Sequence, residues 1–415
     1  MTTVDVVIDQ GGGQLHVGQA FFTRHRGDIS TTFIYDQRYL SGQNISIDPA
    51  LELVTGAQHQ SGLIRAFADS APDRWGRNLI EKAERTRARA EARAPRRLDD
   101  LDFLLGVSDD TRQGALRFRL QGHDEFVGAA SRVPHLISLP QLLRAADEVT
   151  SNSDPARAIQ QLLDTGTTGL GGARPKASVR LEDGSLAIAK FPHGSDGWDV
   201  MAWEATALEL LDSVGIRTPG RRLTRVGDRS VLLLRRFDRT STGHRVGYIS
   251  AMTALGAADG EHRDYSEIAE AVRDLSHSPK QDHRELFDRV VASVALGNTD
   301  DHLRNHGFLM SRGSWTLSPA FDVNPNPDPW RPRSTSVMGA DVMPDEAAAL
   351  LDFAHECGLG PADARRRIQA VAVGLSTWRD VARRNSIQGH EITMMAESIE
   401  PRLESVIAAA ESGVG

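Results

Sequence analysis

The chain has 415 residues, of which 40% are hydrophobic and 25% are charged, and its formal net charge is −8. This composition is ordinary for a folded globular protein, and the negative charge excludes nucleic-acid binding through a broadly basic surface. The single cysteine, Cys357, cannot form an internal disulfide, and its isolation excludes a thiolate metal site of the usual kind. No signal-peptide pattern or membrane-length apolar run is present, so we expect a cytoplasmic protein that does not enter a membrane.

The first part of the chain predicts a module rich in β-strands. Alternating or β-branched segments predict strands at residues 4–8, 15–20, 31–35 and 114–120. Helices are predicted from about Gly62 onward, and one of them begins near Asp73, which follows a proline.

Residues 82–97 hold six Arg and one Lys against two Glu. One interpretation of this run is a nucleic-acid patch, and the other is the solvated end of a helix. We favour the second interpretation because Ala alternates with Arg and no aromatic side chain is interleaved for base stacking.

The middle of the chain predicts a small lobe that grips a nucleotide. The predicted order is a helix, a Gly-rich loop, a strand, a second helix and two further strands, at 139–150, 168–176, 186–190, 198–214, 221–226 and 230–236. From Ser266 onward the pattern is mostly helical, interrupted by an acid-rich segment at 298–330.

Three polar residues in the acid-rich segment have the pattern that a phosphoryl-transfer site needs, although the spacing alone is a weak signal. Asp300 is followed five residues later by Asn305, and Asp322 comes after a short apolar run that we interpret as strand-like. In such sites the first Asp orients and deprotonates a hydroxyl, while the Asn and second Asp hold magnesium. Asp301 is an alternative to Asp300, although the spacing to Asn305 favours Asp300.

Two features upstream support a nucleotide site. Glycines 169, 171 and 172 would let backbone amides approach phosphate oxygens, with Lys176 adding a charge, although the same segment is equally compatible with an ordinary turn. Lys190 ends an apolar strand, where it could contact ATP phosphates with Glu204 as its partner. The alternative is an edge-strand lysine that points to water.

These pieces, taken as a set, resemble the HipA family of serine/threonine kinases, the toxin half of bacterial toxin–antitoxin modules. The resemblance rests on residues 171–176, 188–192, 236–239, 298–305 and 319–322, and upstream on 33–35 and 71–76. It implies an α+β, two-lobed kinase-like fold similar to phosphatidylinositol kinases, with an amino-terminal β-rich module and a mostly helical carboxy-terminal lobe. The implied domains are 1–122, 135–238 and 239–415.

The resemblance also implies roles by position. Asp300 would be the catalytic base, and Asn305 and Asp322 would be the magnesium ligands. The implied ATP contacts are Gly171, Gly172, Ala173, Arg174, Pro175, Lys176, Lys190, Arg235, Arg236, Phe237, His302, Leu303, Arg304, Asn305, Phe321 and Asp322.

Two departures from the family pattern stand out. Family members can be inactivated by phosphorylation of a Ser before the Gly-rich loop, whereas this chain has Thr167 and Thr168 there, either of which could take the phosphate instead. The resemblance also implies a hinge beside adenine at residues 235–237, and where the family has an acidic hinge residue, this chain has Arg235.

The resemblance implies a toxin kinase that uses ATP and Mg²⁺, phosphorylates a cellular protein and is restrained by a small DNA-binding, HipB-like antitoxin. DNA would then be contacted only through the antitoxin. The alternatives are a small-molecule or lipid kinase and an inactive pseudokinase scaffold in a repressor complex. The intact set of Lys190, Asp300, Asn305 and Asp322 argues against the scaffold.

Overall fold

The computed structural model describes the chain except for residues 11–12, 26–27, 130–132, 134–137, 152–155, 166–173 and 412–415. The described residues form two compact units. The first unit comprises residues 1–195 and 224–249, and the second comprises 196–223 and 250–415.

The first unit begins with an antiparallel sheet of five strands in the order β4-β3-β2-β1-β5. The strands are β1 Thr2–Gln10, β2 Gly13–His25, β3 Asp28–Tyr35, β4 Ala57–Ser61 and β5 Leu116–Leu120. Buried and exposed side chains alternate through much of β3, as expected for a strand with one covered face. The predicted strands of this module are therefore confirmed, and β4 is an additional strand.

The described residues of the first unit include six α-helices. They are α1 Gln37–Ser41, α2 Arg65–Asp69, α3 Arg74–Ala90, α4 Asp100–Leu105, α5 Leu139–Thr150 and α6 Ala156–Asp164. The predicted helix start near Asp73 is confirmed, because the Asp73 carboxylate caps α3 by accepting a hydrogen bond from the Gly76 amide at 2.7 Å.

A second sheet in the first unit has the order β6-β7-β9-β8. Its strands are β6 Lys176–Arg180, β7 Leu186–Lys190, β8 Arg221–Val226, of which residues 224–226 belong to this unit, and β9 Arg229–Arg235. Apolar side chains of α3, α5 and α6 form one buried core with β6, β7 and β9. The amino-terminal helix α3 therefore shares a core with the strands of the predicted small lobe.

The second unit is mostly helical, as predicted. Its helices are α7 Val200–Ser213, α8 Ala251–Ala254, α9 Tyr265–Leu275, α10 Pro279–Ala295, α11 Asp345–Ala348, α12 Leu350–Glu356, α13 Pro361–Leu375, α14 Trp378–Arg384 and α15 Gly389–Glu411. Buried side chains lie on every side of α7 and along most of α10, which makes these two helices the interior of the unit.

Short strands complete the second unit. They are β11 Arg263–Asp264, β12 Gly307–Ser311, β13 Ser314–Leu317 and β14 Thr335–Ser336, while β10 Tyr248–Ser250 lies at the boundary of the units. β12 and β13 form an antiparallel hairpin, and β11 pairs with β14 in parallel. The predicted α+β class, with a β-rich amino-terminal part and a mostly helical carboxy-terminal part, is confirmed.

In the described part of the chain, no helix combines the length and the apolar character that crossing a membrane requires.

Candidate active site

Asp300 and Asn305 lie on the loop that follows α10, and the loop ends in a single 3-10 turn, Leu303–Asn305. The Asn305 side-chain amide donates a hydrogen bond to the main-chain oxygen of Asp300 at 3.0 Å. Asn305 is 8% exposed, whereas Asp300 is exposed. The two predicted site residues are therefore in direct contact, and Asp300 is exposed to solvent.

Asp301, the alternative to Asp300, is buried. Its carboxylate accepts hydrogen bonds from the Tyr265 hydroxyl at 2.5 Å and the Ser293 hydroxyl at 2.9 Å, and His306 Nε2 lies 3.0 Å away. Burial alone would raise the pKa of Asp301, but the His306 and Tyr265 contacts hold that pKa well below its usual range. Because the Asp301 carboxylate is buried and already bonded to three side chains, Asp300 is the better candidate for contact with a substrate.

The segment that carries Asp322 is not a strand, so the strand-like interpretation of this segment is wrong. β13 ends at Leu317, and the chain then continues without regular structure. Asp322 is half-buried and has a φ of 58°, in the left-handed region that costs a residue with a side chain about 1–3 kcal/mol. Such strain is concentrated at functional sites because the surrounding contacts must hold it in place.

Two hydrogen bonds donated by main-chain N–H groups hold the Asp322 segment against the loop of Asp300. The Asn324 amide donates to the Asn298 side chain at 2.9 Å, and the Asn326 amide donates to the Gly297 oxygen at 3.0 Å. Phe321 and Asn305 line the same small cavity, together with Asn298, Asp301 and His306. The second unit thus brings the 298–306 loop and the start of the Asp322 segment together.

The remaining predicted residues of this loop have different environments. His302 is half-buried, and within the described residues its buried Nδ1 atom has no hydrogen-bond partner. Leu303 is 6% exposed, while Arg304 is exposed and lies 3.5 Å from Asp259. In the described parts of the chain, no group of three or more His, Cys, Asp or Glu side chains is arranged to hold a metal ion.

Lys190 ends β7, an interior strand between β6 and β9. It is 8% exposed, so the alternative of an edge-strand lysine that points to water is wrong. Glu204, its predicted partner, is a buried residue of α7 in the second unit, whereas Lys190 belongs to the first unit. The pairing of these two side chains stays a prediction.

Lys176 was predicted as the last residue of the Gly-rich loop, and the structure places it as the first residue of β6. Its side chain is 1% exposed and donates to the Asp73 carboxylate at 2.6 Å, while the Trp75 indole donates to the Lys176 main-chain oxygen at 3.1 Å. The charge of Lys176 therefore has a counter-charge inside the first unit. Arg174 is half-buried and Pro175 is buried.

The predicted glycine loop lies mostly outside the described residues. The predicted nucleotide contacts Gly171, Gly172 and Ala173 fall there, as do Gly169 and the candidate phosphorylation sites Thr167 and Thr168.

The arginines of the predicted hinge have carboxylate partners. Arg235 is exposed and donates to Asp183 at 2.6 Å, whereas Arg236 is buried and binds Asp238 through two hydrogen bonds of 2.7 and 2.6 Å. Burial opposes ionisation of Asp238, but Arg236 and Arg239 hold the pKa of this carboxyl well below its usual range. A nucleotide at this hinge would therefore meet two arginine side chains that are already engaged.

Phe237, the third residue of the predicted hinge, is half-buried, and its ring centroid lies 6.2 Å from that of Tyr248.

Part of the arginine run at 82–97 is engaged in ion pairs within the first unit. Arg93 donates to Glu84 at 2.6 Å and lowers the pKa of Glu84 to about 2, and Arg85 lies 3.2 Å from Glu81 on the same helix. These contacts favour the interpretation of a solvated helix end.

Several buried residues behind the site carry no local sequence signal. They are Tyr265, Ser293, His306, Arg333, Glu346 and Arg402. The fold brings them together from positions between 265 and 402 of the chain. His306 directly follows Asn305, which is the only local clue that the sequence offers for this set.

Comparison with known proteins gives matches along most of the chain. Residues 168–378 match the HipA-like C-terminal domain, and residues 13–119 match the HipA N-terminal domain. A protein of Sinorhizobium fredii described as "Putative kinase Y4mE" is 26% identical over 230 residues, which cover 48% of this chain and 53% of that protein. A protein of Haemophilus influenzae described as "Putative kinase" is 32% identical over 78 residues, 18% of this chain and 23% of that protein. The matches thus span about half of the first relative and less of the second.

Among solved structures, HipA of Shewanella oneidensis, determined in a complex with HipB and its operator DNA, has the same fold. The TM-score is 0.69 at 13% sequence identity, and the match covers 98% of this chain and 96% of that chain.

Proposed function

The chain belongs to the HipA family, and from this membership we propose that it is an ATP- and Mg²⁺-dependent serine/threonine protein kinase. One observation carries the proposal. Asp300 is exposed between the buried residues Thr299 and Asp301, and the Asn305 side chain holds its main-chain oxygen. The Asp300 side chain is thus open to a substrate hydroxyl, while the hydrogen bond from Asn305 fixes the main chain of Asp300.

In this proposal Asp300 is the catalytic residue. Its carboxylate accepts the proton of a serine or threonine hydroxyl, and the hydroxyl oxygen forms a bond to the γ-phosphorus of ATP. The bond between that phosphorus and the β–γ bridging oxygen breaks, and ADP leaves with the electron pair. The products are a phosphorylated hydroxyl and ADP.

Asn305 and Asp322 are the residues that would hold Mg²⁺. A carboxamide and a carboxylate supply the oxygen donors that this ion prefers, and one or two protein carboxylates with substrate phosphates are a common ligand set. The left-handed backbone conformation of Asp322, in a segment that hydrogen bonds hold in place, supports its assignment as a metal ligand. When bound, the ion supplies positive charge that offsets the charge of the ATP phosphates.

On the nucleotide side, we assign the contact with the ATP phosphates to Lys190 and to the loop at 171–175. A nearly buried ammonium at the end of a strand is favourable where it meets negative charge, which supports Lys190. We do not assign Lys176 to the ATP phosphates, because the Asp73 carboxylate already offsets its charge. Main-chain groups at 235–237 would face the adenine, together with the Phe237 ring.

We further propose that the chain is a growth-arresting toxin of the cytoplasm, restrained by a small DNA-binding antitoxin similar to HipB. The solved complex of Shewanella oneidensis HipA with HipB and operator DNA supports this kind of partner. The net charge of −8 supports indirect rather than direct DNA contact, since phosphate contacts need clustered Lys and Arg.

The destination of labelled phosphate tests this function against its alternatives. Purified chain is incubated with γ-labelled ATP and Mg²⁺, first alone and then with a clarified bacterial extract. A protein kinase places the label on protein, and a small-molecule or lipid kinase places it on low-molecular-weight or lipid products. An inactive scaffold releases no label from ATP.

Replacement of Asp322 by Ala is expected to weaken Mg-ATP binding by about tenfold or more, because the metal loses its charged ligand. Calorimetric titration with Mg-ATP measures this effect. Asp328→Ala is the matched control, because this exposed carboxylate lies only six residues further along the chain. Equal affinity in the Asp322 variant and the control would remove Asp322 from the metal site.

Expression of the wild-type chain alone is expected to slow growth, whereas expression of the Asp300→Asn variant is not, because arrest requires phosphate transfer.

In gel-shift assays on the DNA upstream of its operon, the purified chain is expected not to bind without a partner. Tight, salt-sensitive binding by the chain alone would contradict this expectation, and it would assign a function to the 82–97 arginine run.

A further inference from the structure

The residue next to Asp300 is immobilised by side chains from distant parts of the second unit. The Asp301 carboxylate is held by Tyr265, the first residue of α9, by Ser293 of α10 and by His306. Its main-chain oxygen also accepts a hydrogen bond from the Thr335 hydroxyl at 2.7 Å. Both the side chain and the backbone of Asp301 are therefore fixed, and Asp300 is one residue away.

The Tyr265 hydroxyl is connected on its other side to a buried cluster of three charged side chains, which we call the Arg–Glu–Arg cluster. Its members are Arg333, Glu346 and Arg402, and none of the three is exposed. Arg333 donates to the Tyr265 hydroxyl at 3.2 Å and to Glu346, and Arg402 of α15 also donates to Glu346. A continuous series of hydrogen bonds thus runs from the carboxy-terminal helix to Asp301.

We propose that Tyr265 is a positioning residue for phosphoryl transfer. Its hydroxyl accepts a hydrogen bond from Arg333 and donates a hydrogen bond to the Asp301 carboxylate, so that the loop carrying Asp300 is oriented by the Arg–Glu–Arg cluster. Hydrogen bonds in such a series strengthen one another in a buried environment. The inference rests on the proposed function, because it assigns a role within that same site.

The ring of Tyr265 makes separate contacts, which permits a clean test. The ring packs edge-on against His306 with centroids 5.6 Å apart and lies 6.1 Å from Phe353. A phenylalanine at position 265 keeps these contacts and removes only the hydroxyl. Asp301 then retains Ser293 and His306, so the loop is loosened rather than unfolded.

The role of Tyr265 concerns the turnover step rather than nucleotide binding. Asp300 acts on the hydroxyl that attacks ATP, and small errors in the placement of such a group slow the reaction strongly. The proposed phosphate contact Lys190 belongs to the first unit. The proposed Mg²⁺ ligand Asn305 contacts this loop through the main-chain oxygen of Asp300 and not through the Asp301 carboxylate. Loss of the Tyr265 hydroxyl is therefore expected to lower kcat while the KM for ATP stays unchanged.

The experiment compares Tyr265→Phe with Tyr39→Phe in the full-length chain. Tyr39 is a matched control, because it is 1% exposed, its hydroxyl donates one hydrogen bond to the Ile45 oxygen at 2.8 Å, and it lies in the amino-terminal module. Rates are measured as the transfer of label from ATP to the proteins of a clarified bacterial extract, over a range of ATP concentrations. Thermal melting of each variant is recorded alongside.

The expected result is a kcat about tenfold lower for Tyr265→Phe at unchanged KM, and an unaltered kcat for Tyr39→Phe. Ser293→Ala, which removes another hydrogen bond to Asp301, is expected to lower kcat in the same direction and serves if the Tyr265 variant does not fold. The inference would be overturned if Tyr265→Phe had the kcat of the wild-type chain, or if Tyr39→Phe lost as much kcat as Tyr265→Phe. Either result would leave the proposed function intact. A wild-type chain that transfers no label would overturn the proposed function, and the inference with it.

Discussion

Asp300→Asn is expected to lower the rate of phosphoryl transfer by about 10²–10⁴, the range associated with loss of a general base. Asparagine keeps the size and polarity of the side chain but cannot accept the proton of the substrate hydroxyl. Because Asp300 is exposed and its main-chain oxygen makes the contact with Asn305, the fold and the affinity for Mg-ATP should be unchanged. Initial-rate measurements and calorimetric titration of the same preparation test both parts.

Two further variants complete this test. Asp274→Asn makes the same change at an exposed carboxylate of α9 and should leave the rate unaltered. Asp301→Asn should lower the melting temperature, since it disturbs a buried carboxylate with three side-chain partners. A folded but inactive Asp301 variant together with an active Asp300 variant would show that Asp301, and not Asp300, is the base.

Glu346→Gln is expected to lower the free energy of unfolding of the second unit by about 3–5 kcal/mol. The substitution keeps the shape of the side chain but removes the one negative charge of the Arg–Glu–Arg cluster, which leaves Arg333 and Arg402 as buried cations. Denaturation followed by tryptophan fluorescence measures the loss. Five of the six tryptophans, all except Trp75, belong to the second unit and report on it.

The matched control for Glu346 is Glu400→Gln. Glu400 pairs with Arg379 at 2.5 Å, but the two side chains are 49% and 35% exposed. Surface ion pairs of this kind contribute about 0–1 kcal/mol, so the control should be nearly neutral. If the two variants lost similar amounts of unfolding free energy, burial would not be the reason that the Arg–Glu–Arg cluster contributes to stability.

The sequence predicts those features that depend on neighbours along the chain. The alternation of apolar and polar side chains predicted the amino-terminal strands, and the spacing of apolar residues predicted α5 with the bounds that the structure shows. Asp73 predicted the start of α3. The short spacing between Asp300 and Asn305 predicted that these residues act together, and the contact between them has a local cause, a single turn of chain.

The features that the sequence did not predict depend on distant partners. Lys176 follows a glycine-rich segment, yet its environment is set by Asp73, 103 residues earlier in the chain. The apolar run before Asp322 resembled a strand, but the main chain that follows it donates hydrogen bonds to the Asn298 side chain and the Gly297 oxygen instead of pairing as a strand. Tyr265 and Glu346 showed no pattern at all, because a buried polar cluster is recognised only when its members meet in space.

We propose that this chain transfers phosphate from ATP to protein hydroxyls through Asp300. The most direct measurement is the phosphoamino-acid content of extract proteins after incubation with γ-labelled ATP and either the wild-type chain or its Asp300→Asn variant. We predict labelled phosphoserine or phosphothreonine with the wild-type chain, none when the metal is chelated, and none with the variant. Label that appears equally with both proteins, or label confined to small molecules, would contradict the claim.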